Sequence, residues 1–276
     1  MFAALTPHRQ PSPKNGLRHF SALPTHHPTG GGDTKKYISE FMKYIFIKGG
    51  GSGNIRNNNS LSVDYSYLNY RQMKIDSDYY KLLCDNVHEL SQENKVGFTV
   101  GGVAAFLFLN FAKDLNNTDE EINAIGKNIV NITSNIVLNY FISRQTNICP
   151  KLVDVNSDIE SYFKKYNLLL FKPDVAFEST DFIVAKAATK IENSILIFLK
   201  TNLLERLQNE KEPNLSYIKK ISSIEKSTMN APLLDMQTLE ILESNKKPVI
   251  LCDKNLTSNL CFIANQKAIR RVTLYI

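Results

Sequence analysis

Between Val96 and Ala112 the chain runs for seventeen residues without a charge, with Lys95 before it and Lys113-Asp114 after it. As a helix this segment would be about 25 Å long, short of the roughly 30 Å hydrocarbon core of a bilayer. Gly97, Gly101 and Ala105 would fall at i, i+4 and i+8 and form a smooth stripe on which a second helix backbone can close. Glycine inside a soluble helix costs about 1 kcal/mol relative to alanine, so Gly97, Gly101 and Gly102 need a reason. Three readings supply one: a spanning or re-entrant membrane segment, a buried core helix, or a strand that breaks at Gly101-Gly102 and continues as a shorter helix.

Periodicity organises the rest. Tyr44-Ile45-Phe46-Ile47 is rich in β-formers and stops at a glycine run. Thr34 to Tyr44 and Asp78 to Asn94 read as amphipathic helices. Thr118 ahead of Asp119-Glu120-Glu121 is a capping hydroxyl followed by negative charge in a first turn. Behind it Ile122, Ile125, Ile129, Ile132, Ile136 and Tyr140 recur at spacings of three or four, against a face of asparagines. That stripe predicts packing against neighbouring helices or a bound partner. Ser157 opens a short helix. Thr180 to about Asn209 reads as a second long helix, and Leu215 to Met229 and Leu233 to Leu242 as further ones. Val249-Ile250-Leu251, Leu260-Cys261-Phe262-Ile263 and Val272 to Ile276 read as short strands.

The 276 residues, 43% apolar and 22% charged, suit an ordinary folded chain of one or two domains. The formal charge is +6. The first 36 residues carry +4 of it, on Arg9, Lys14, Arg18, Lys35 and Lys36 against Asp33, so the body is nearly neutral. A nucleic-acid surface built on bulk charge is therefore not indicated. Residues 1–32 lack acidic side chains and hold five prolines. They read as a disordered basic leader or an organellar presequence, and Arg18-His19-Phe20-Ser21-Ala22 resembles a mitochondrial processing site that would leave Ser21 as the mature terminus. There is no h-region for a standard secretory signal. Cys84, Cys149, Cys252 and Cys261 have no zinc spacing, and Cys252 and Cys261 could face each other across a hairpin. His88 is the one histidine outside the leader, which leaves little room for histidine-based catalysis or metal binding.

One constellation carries possible chemistry. Lys48-Gly49-Gly50-Gly51-Ser52 follows a strand, and Asp76-Ser77-Asp78 comes later. A strand ending in Gly-Gly-Ser with a later D-x-D resembles the nucleotidyltransferase core, over residues 34–80 only. The resemblance implies that Gly50, Gly51 and Ser52 contact phosphate while Asp76 and Asp78 hold Mg²⁺. It departs from the pattern in the long gap to Asp76 and in a third carboxylate, for which Asp253 is the candidate.

The fold expected from these patterns is α+β and predominantly helical. A leader (1–33) and a small mixed region (34–94) precede a helical bundle (95–243) and a short β element (244–276). The leading function is a non-enzymatic membrane-associated or scaffold protein. It would use 96–112 as anchor or packing hub, have a protein partner or a second copy bound through helices, and have a mitochondrial or other membrane address. The alternatives are a Mg²⁺-dependent nucleotidyltransferase-like enzyme and a soluble helical interaction module.

Overall fold

The computed structural model describes residues 43–49, 55–56, 74–101, 103–172, 179–208, 210, 214–227, 232–265 and 272–275. The leader, most of the helix expected over Thr34–Tyr44, Gly50, Gly51, Ser52 and the Asn57–Asn59 loop lie outside the described residues. The chain proceeds through β1 (Tyr44–Gly49), β2 (Ile55–Arg56), β3 (Lys74–Ile75), α1 (Ser77–Glu93), β4 (Lys95–Val100), α2 (Val103–Asp114) and α3 (Asp119–Ser143). It continues with β5 (Val153–Asp154), α4 (Ile159–Lys165), β6 (Leu168–Lys172), α5 (Thr180–Thr189), β7 (Ser194–Lys200) and α6 (Leu203–Arg206). The last elements are α7 (Leu215–Ser227), α8 (Met236–Asn245), β8 (Val249–Asp253), a 3₁₀ turn (Lys254–Asn259), α9 (Leu260–Ala264) and β9 (Val272–Tyr275).

Seven of these strands form one sheet in the order β5-β6-β4-β1-β7-β8-β9, and every pairing in it is parallel. This α/β sheet replaces the expected helical bundle. The mixed region (34–94), the expected bundle (95–243) and the C-terminal β element (244–276) each contribute strands to it, and residues 41–276 form one unit. Parallel strands need crossovers, which place helices on both faces and bury the strands from both sides. The two cores follow the two-residue period of β1. Phe46 points into one, with Phe171, Phe198 and helices α4, α5, α7 and α8. Ile45 and Ile47 point into the other, with Phe98 and helices α1, α3 and α9.

The double burial explains why the sequence misleads. The apolar run Ile195 to Leu199 has no polar alternation, so it reads as helix, yet it is strand β7 between α5 and α6. The single helix expected from Thr180 to Asn209 is therefore three elements. The opposite error occurs at Leu260–Ile263, an expected strand that is helix α9. The Thr118 cap is where the pattern placed it. Its hydroxyl accepts from the Glu121 N–H at 3.3 Å, and the Glu121 carboxylate accepts from the Thr118 N–H at 2.8 Å.

Val96 to Ala112 follows the third of its three readings, a strand and then a helix with the break at Gly101-Gly102. Gly97 lies in β4, Gly101 beyond its end and Ala105 in α2, so the three share no helical face. Among the described residues no helix is long and apolar enough to cross a membrane. These findings overturn the transmembrane anchor and, with it, the scaffold function built on that anchor. The glycines have a different purpose. A Cβ on Gly97 would lie 2.5 Å from the Phe46 ring and 2.8 Å from the Phe171 ring. Its absence lets those two rings stack 6.1 Å apart across β4.

Candidate active site

In a parallel sheet the ligand crevice opens where neighbouring strands send their crossovers in opposite directions. That pair here is β1 and β7. From β1 the chain crosses to β4 on one side, and from β7 it crosses to β8 on the other. Each of the two strands has an apolar run, Ile45–Ile47 in β1 and Ile195–Leu199 in β7, that ends at a lysine near its carboxyl end, Lys48 and Lys200. A strand buried on both faces has no solvent for a lysine stem to reach sideways, so both ammonium groups stay inside. Lys48 is 6% and Lys200 8% exposed.

Both meet one carboxylate. Asp181 Oδ2 accepts a hydrogen bond from Lys200 Nζ at 2.6 Å, and Asp181 Oδ1 lies 3.2 Å from Lys48 Nζ. The first contact has hydrogen-bond geometry. The second is an ion pair, and among the described residues no contact at Oδ1 has hydrogen-bond geometry. Asp181 sits in the first turn of α5, where the aligned peptide dipoles also favour a carboxylate. Burial works against its charge, but the ammonium groups of Lys200 and Lys48 prevail and hold its pKa at about 2. Lys200 moves the other way for a base. Burial is the largest influence, the cation of Lys48 adds to it, and together they outweigh Asp181 and bring Lys200 down to about 8. The pair therefore favours the carboxylate's charge without fully sustaining the ammonium's, because Lys200 is buried and has a second cation beside it.

The surrounding elements fix this trio. Ser179 caps α5, its Oγ accepting from the Phe182 N–H at 3.0 Å. The same hydroxyl donates to Asp235 Oδ2. Asp235 in turn caps α8, accepting from the Thr238 N–H at 2.8 Å. Two helix starts are thus locked together one turn away from Asp181. On the other flank Asp253 ends β8 and accepts from the N–H of Leu203 at 2.9 Å and of Asn255 at 2.9 Å. This secures the turn after Lys200, in which Asn202 adopts a left-handed conformation (φ 51°) that asparagine tolerates. Beyond β4, Gly101 donates its N–H to the Gly49 carbonyl at 2.6 Å, and α2 opens immediately afterwards with its N-terminus at the same sheet edge. A helix N-terminus in that place suits an anion.

The sequence-derived candidates fall elsewhere or have other duties. Asp76 caps α1, accepting from the Tyr79 N–H at 3.1 Å, and Asp78 is exposed in the first turn of the same helix. Neither lies on a sheet strand beside β1, where the nucleotidyltransferase pattern would set them, and Gly50, Gly51 and Ser52 lie outside the described residues. Asp253, its third carboxylate, is occupied with backbone N–H groups. Among the described residues no group of three or more His, Cys, Asp or Glu is arranged to hold a metal. Cys252 in β8 and Cys261 in α9 do not face each other across a hairpin, and all four cysteines are free. Burial first, and then Asp85, pushes the Cys84 thiol up to about 12, so it is no nucleophile. His88 binds Thr146 Oγ1 through Nδ1 at 2.7 Å, tying α1 to the segment after α3. No local pattern singles out Asp181 or Lys200, and Lys48 stands out only as the head of the glycine run. The available signal was a lysine ending each of two apolar strands.

The sequence matches no protein-family model and no curated protein. Solved structures do resemble it. Uridylate kinase from Archaeoglobus fulgidus superposes with a TM-score of 0.56 at 16% identity, covering 84% of this chain and 100% of that one. UMP kinase from Ureaplasma parvum gives 0.59 at 15% identity, covering 85% and 100%. Isopentenyl phosphate kinase gives 0.50 at 14% identity, covering 83% and 99%. At these identities the likeness is one of fold: this chain shares the α/β architecture of those kinases across most of its length.

Proposed function

We propose that this chain transfers the γ-phosphoryl group of a nucleoside triphosphate to a small phosphate monoester. The observation that carries the reading is the buried Lys48–Asp181–Lys200 trio at the crossover point of the sheet. A phosphoryl group in transit spreads negative charge over its oxygens, and catalysis consists mainly of positioning and of cations placed beforehand where that charge develops. Each ammonium has three donor hydrogens. Lys200 gives one to Asp181, and among the described residues its others meet no acceptor. Asp181 is a positioning residue: it holds two cations in place and does not itself approach the anion. The α2 N-terminus at the same edge suits the polyphosphate. A Mg²⁺ bound to the nucleotide phosphates would arrive as part of the substrate.

The acceptor class is supported by the kinases of similar fold, which are named for uridylate and isopentenyl phosphate, both phosphate monoesters. The test is incubation of the purified chain with γ-labelled ATP and Mg²⁺, with UMP, isopentenyl phosphate or no acceptor. The expected result is a labelled diphosphate product from one monoester. Absence of label transfer to either, together with no nucleotide binding, would overturn the proposal.

The address follows from sequence alone. Residues 1–32, basic and acid-free, support import into mitochondria with cleavage before Ser21. N-terminal sequencing of protein from its native cells is expected to begin at Ser21. Met1 or Phe2 at that position would contradict it.

A further inference from the structure

After Lys95, strand β4 reads Val-Gly-Phe-Thr-Val, so Thr99 is its one polar side chain beyond the first residue, and it is fully buried. Its register partner in β1 is Lys48. Residues paired across adjacent strands send their side chains to the same face of the sheet. The pair two residues earlier identifies that face, since a Cβ on Gly97 would meet the Phe46 ring. It is the face on which α5, the helix that carries Asp181, packs against β1, β4 and β7. Thr99 therefore stands beside the stem of Lys48, under the helix of Asp181. Two buried oxygens here have no hydrogen-bonded contact among the described residues: Thr99 Oγ1 and Asp181 Oδ1. Lys48 Nζ lies 3.2 Å from Oδ1, as an ion pair without hydrogen-bond geometry. Valine would fill the space of Thr99 without a hydroxyl, and an unpaired buried hydroxyl destabilises a fold, so a threonine in this strand needs a polar partner.

We propose that one buried water joins Thr99 Oγ1 to Asp181 Oδ1, and that Thr99 is thereby a positioning residue for the Lys48–Asp181–Lys200 trio. The two oxygens do not bond each other directly, so the group between them has to accept from a hydroxyl and donate to a carboxylate. Water does both, and buried waters sit where polar groups would otherwise be unpaired. The Thr99 hydroxyl donates to the water, and the water donates to Oδ1. Asp181 is then held by a directional bond at each oxygen, the water at Oδ1 and Lys200 Nζ at Oδ2, 2.6 Å away. A carboxylate held at one oxygen can turn about its Cβ–Cγ bond, a torsion with a broad preference, and Lys48 would follow it. Held at both, it keeps the two ammonium groups in one arrangement. The kinetic consequence rests on the phosphoryl-transfer reading, whereas the water site itself does not.

The test starts with crystals of the full-length chain that diffract well enough to show ordered water. One water is expected within about 3.2 Å of both oxygens, and it is expected to be missing from Thr99→Val. That variant should melt no lower than the wild type, because it loses a hydroxyl and keeps the shape of the side chain. Its kcat should fall about tenfold with KM unchanged, since a small misplacement of positioned groups is felt in the rate and not in binding. Thr99→Ser, which retains the hydroxyl, is expected to keep the water and most of the rate. Thr99→Ala gives the same comparison should valine disturb the strand. Wild-type crystals without a water shared by the two oxygens would overturn the proposal. They decide it even for a chain that transfers no phosphoryl group, because that observation needs no turnover. A folded Thr99→Val with the kcat of the wild type would overturn it equally.

Discussion

Asp181→Asn is expected to lower the rate of phosphoryl transfer by roughly 10²–10³-fold, as much as the loss of one preorganised donor, because the two ammonium groups lose the anion that positions them. The amide keeps the size of the side chain and removes its charge. Lys48 and Lys200 then face each other inside the protein without the anion between them. Lys200, already at about 8, loses the influence that was holding it up and shifts lower. The wild type should therefore show kcat/KM falling as pH rises through about 8, and the variant's fall should begin at lower pH. Lys200→Arg, whose charge persists to high pH, should abolish that alkaline limb if it retains activity. Stability moves with a sign fixed by the same shifts. Asp181 is held at about 2, below its ordinary 3.8, so its contribution is complete above pH 3.8 and lost as pH falls through 2. Lys200 lies below its ordinary 10.5, so its burial as a cation disfavours folding below pH 8, and that cost disappears between pH 8 and 10.5. Thermal melts from pH 2 to 10 would follow both limbs. An Asp181→Asn variant with wild-type kcat/KM and an unmoved alkaline limb would deny the carboxylate its positioning role.

Gly97→Ala is expected to destabilise the fold by about 3 kcal/mol, the upper part of the range for overpacking. The added methyl would lie 2.5 Å from the Phe46 ring and 2.8 Å from the Phe171 ring. Neither ring has room to retreat, because both are fully buried and Phe46 also meets Phe163 edge-on at 6.0 Å. The effect should appear in urea as a lower midpoint with an unchanged slope. It should also reach the candidate site, since β4 and β1 are adjacent and Lys48 follows Phe46 by two residues. A variant as stable as the wild type would mean that the glycine is not required by the stacked rings.

How far the fold was legible depended on which surface each segment meets. Helix starts were plain: Thr118 with Glu121 forms the expected capping box, because capping is decided by a few adjacent residues. Strands buried on both faces were not, because Ile195 to Leu199 meets apolar neighbours on either side and carries no period of two. The same ambiguity made Val96 to Ala112 look like a membrane segment, when Gly97 serves ring stacking across a strand and Gly101 marks its end. The candidate site was less legible still. Asp181 and Lys200 lie 19 residues apart on a consecutive helix and strand, and Lys48, far away in sequence, joins them only through the pairing of β1 with β7, which no local pattern encodes. Asp76 and Asp78 drew notice as a short motif, yet Asp76 is explained by the N-terminus of α1. The isoleucine stripe of α3 was visible from the outset. The structure adds which part of it is covered, since Val130, Val137 and Leu138 are buried while Ile132 and Ile136 are not.

The most direct test is the rate of γ-phosphoryl transfer by the wild type, Lys48→Ala, Lys200→Ala and the double variant, measured with the same nucleotide and phosphate monoester. If the two ammonium groups act as one unit on the transferring group, each single variant is expected to lose at least about 100-fold, and the double variant little more than the worse single one. Transfer at the wild-type rate in either single variant would contradict the assignment of the Lys48–Asp181–Lys200 trio as the catalytic centre.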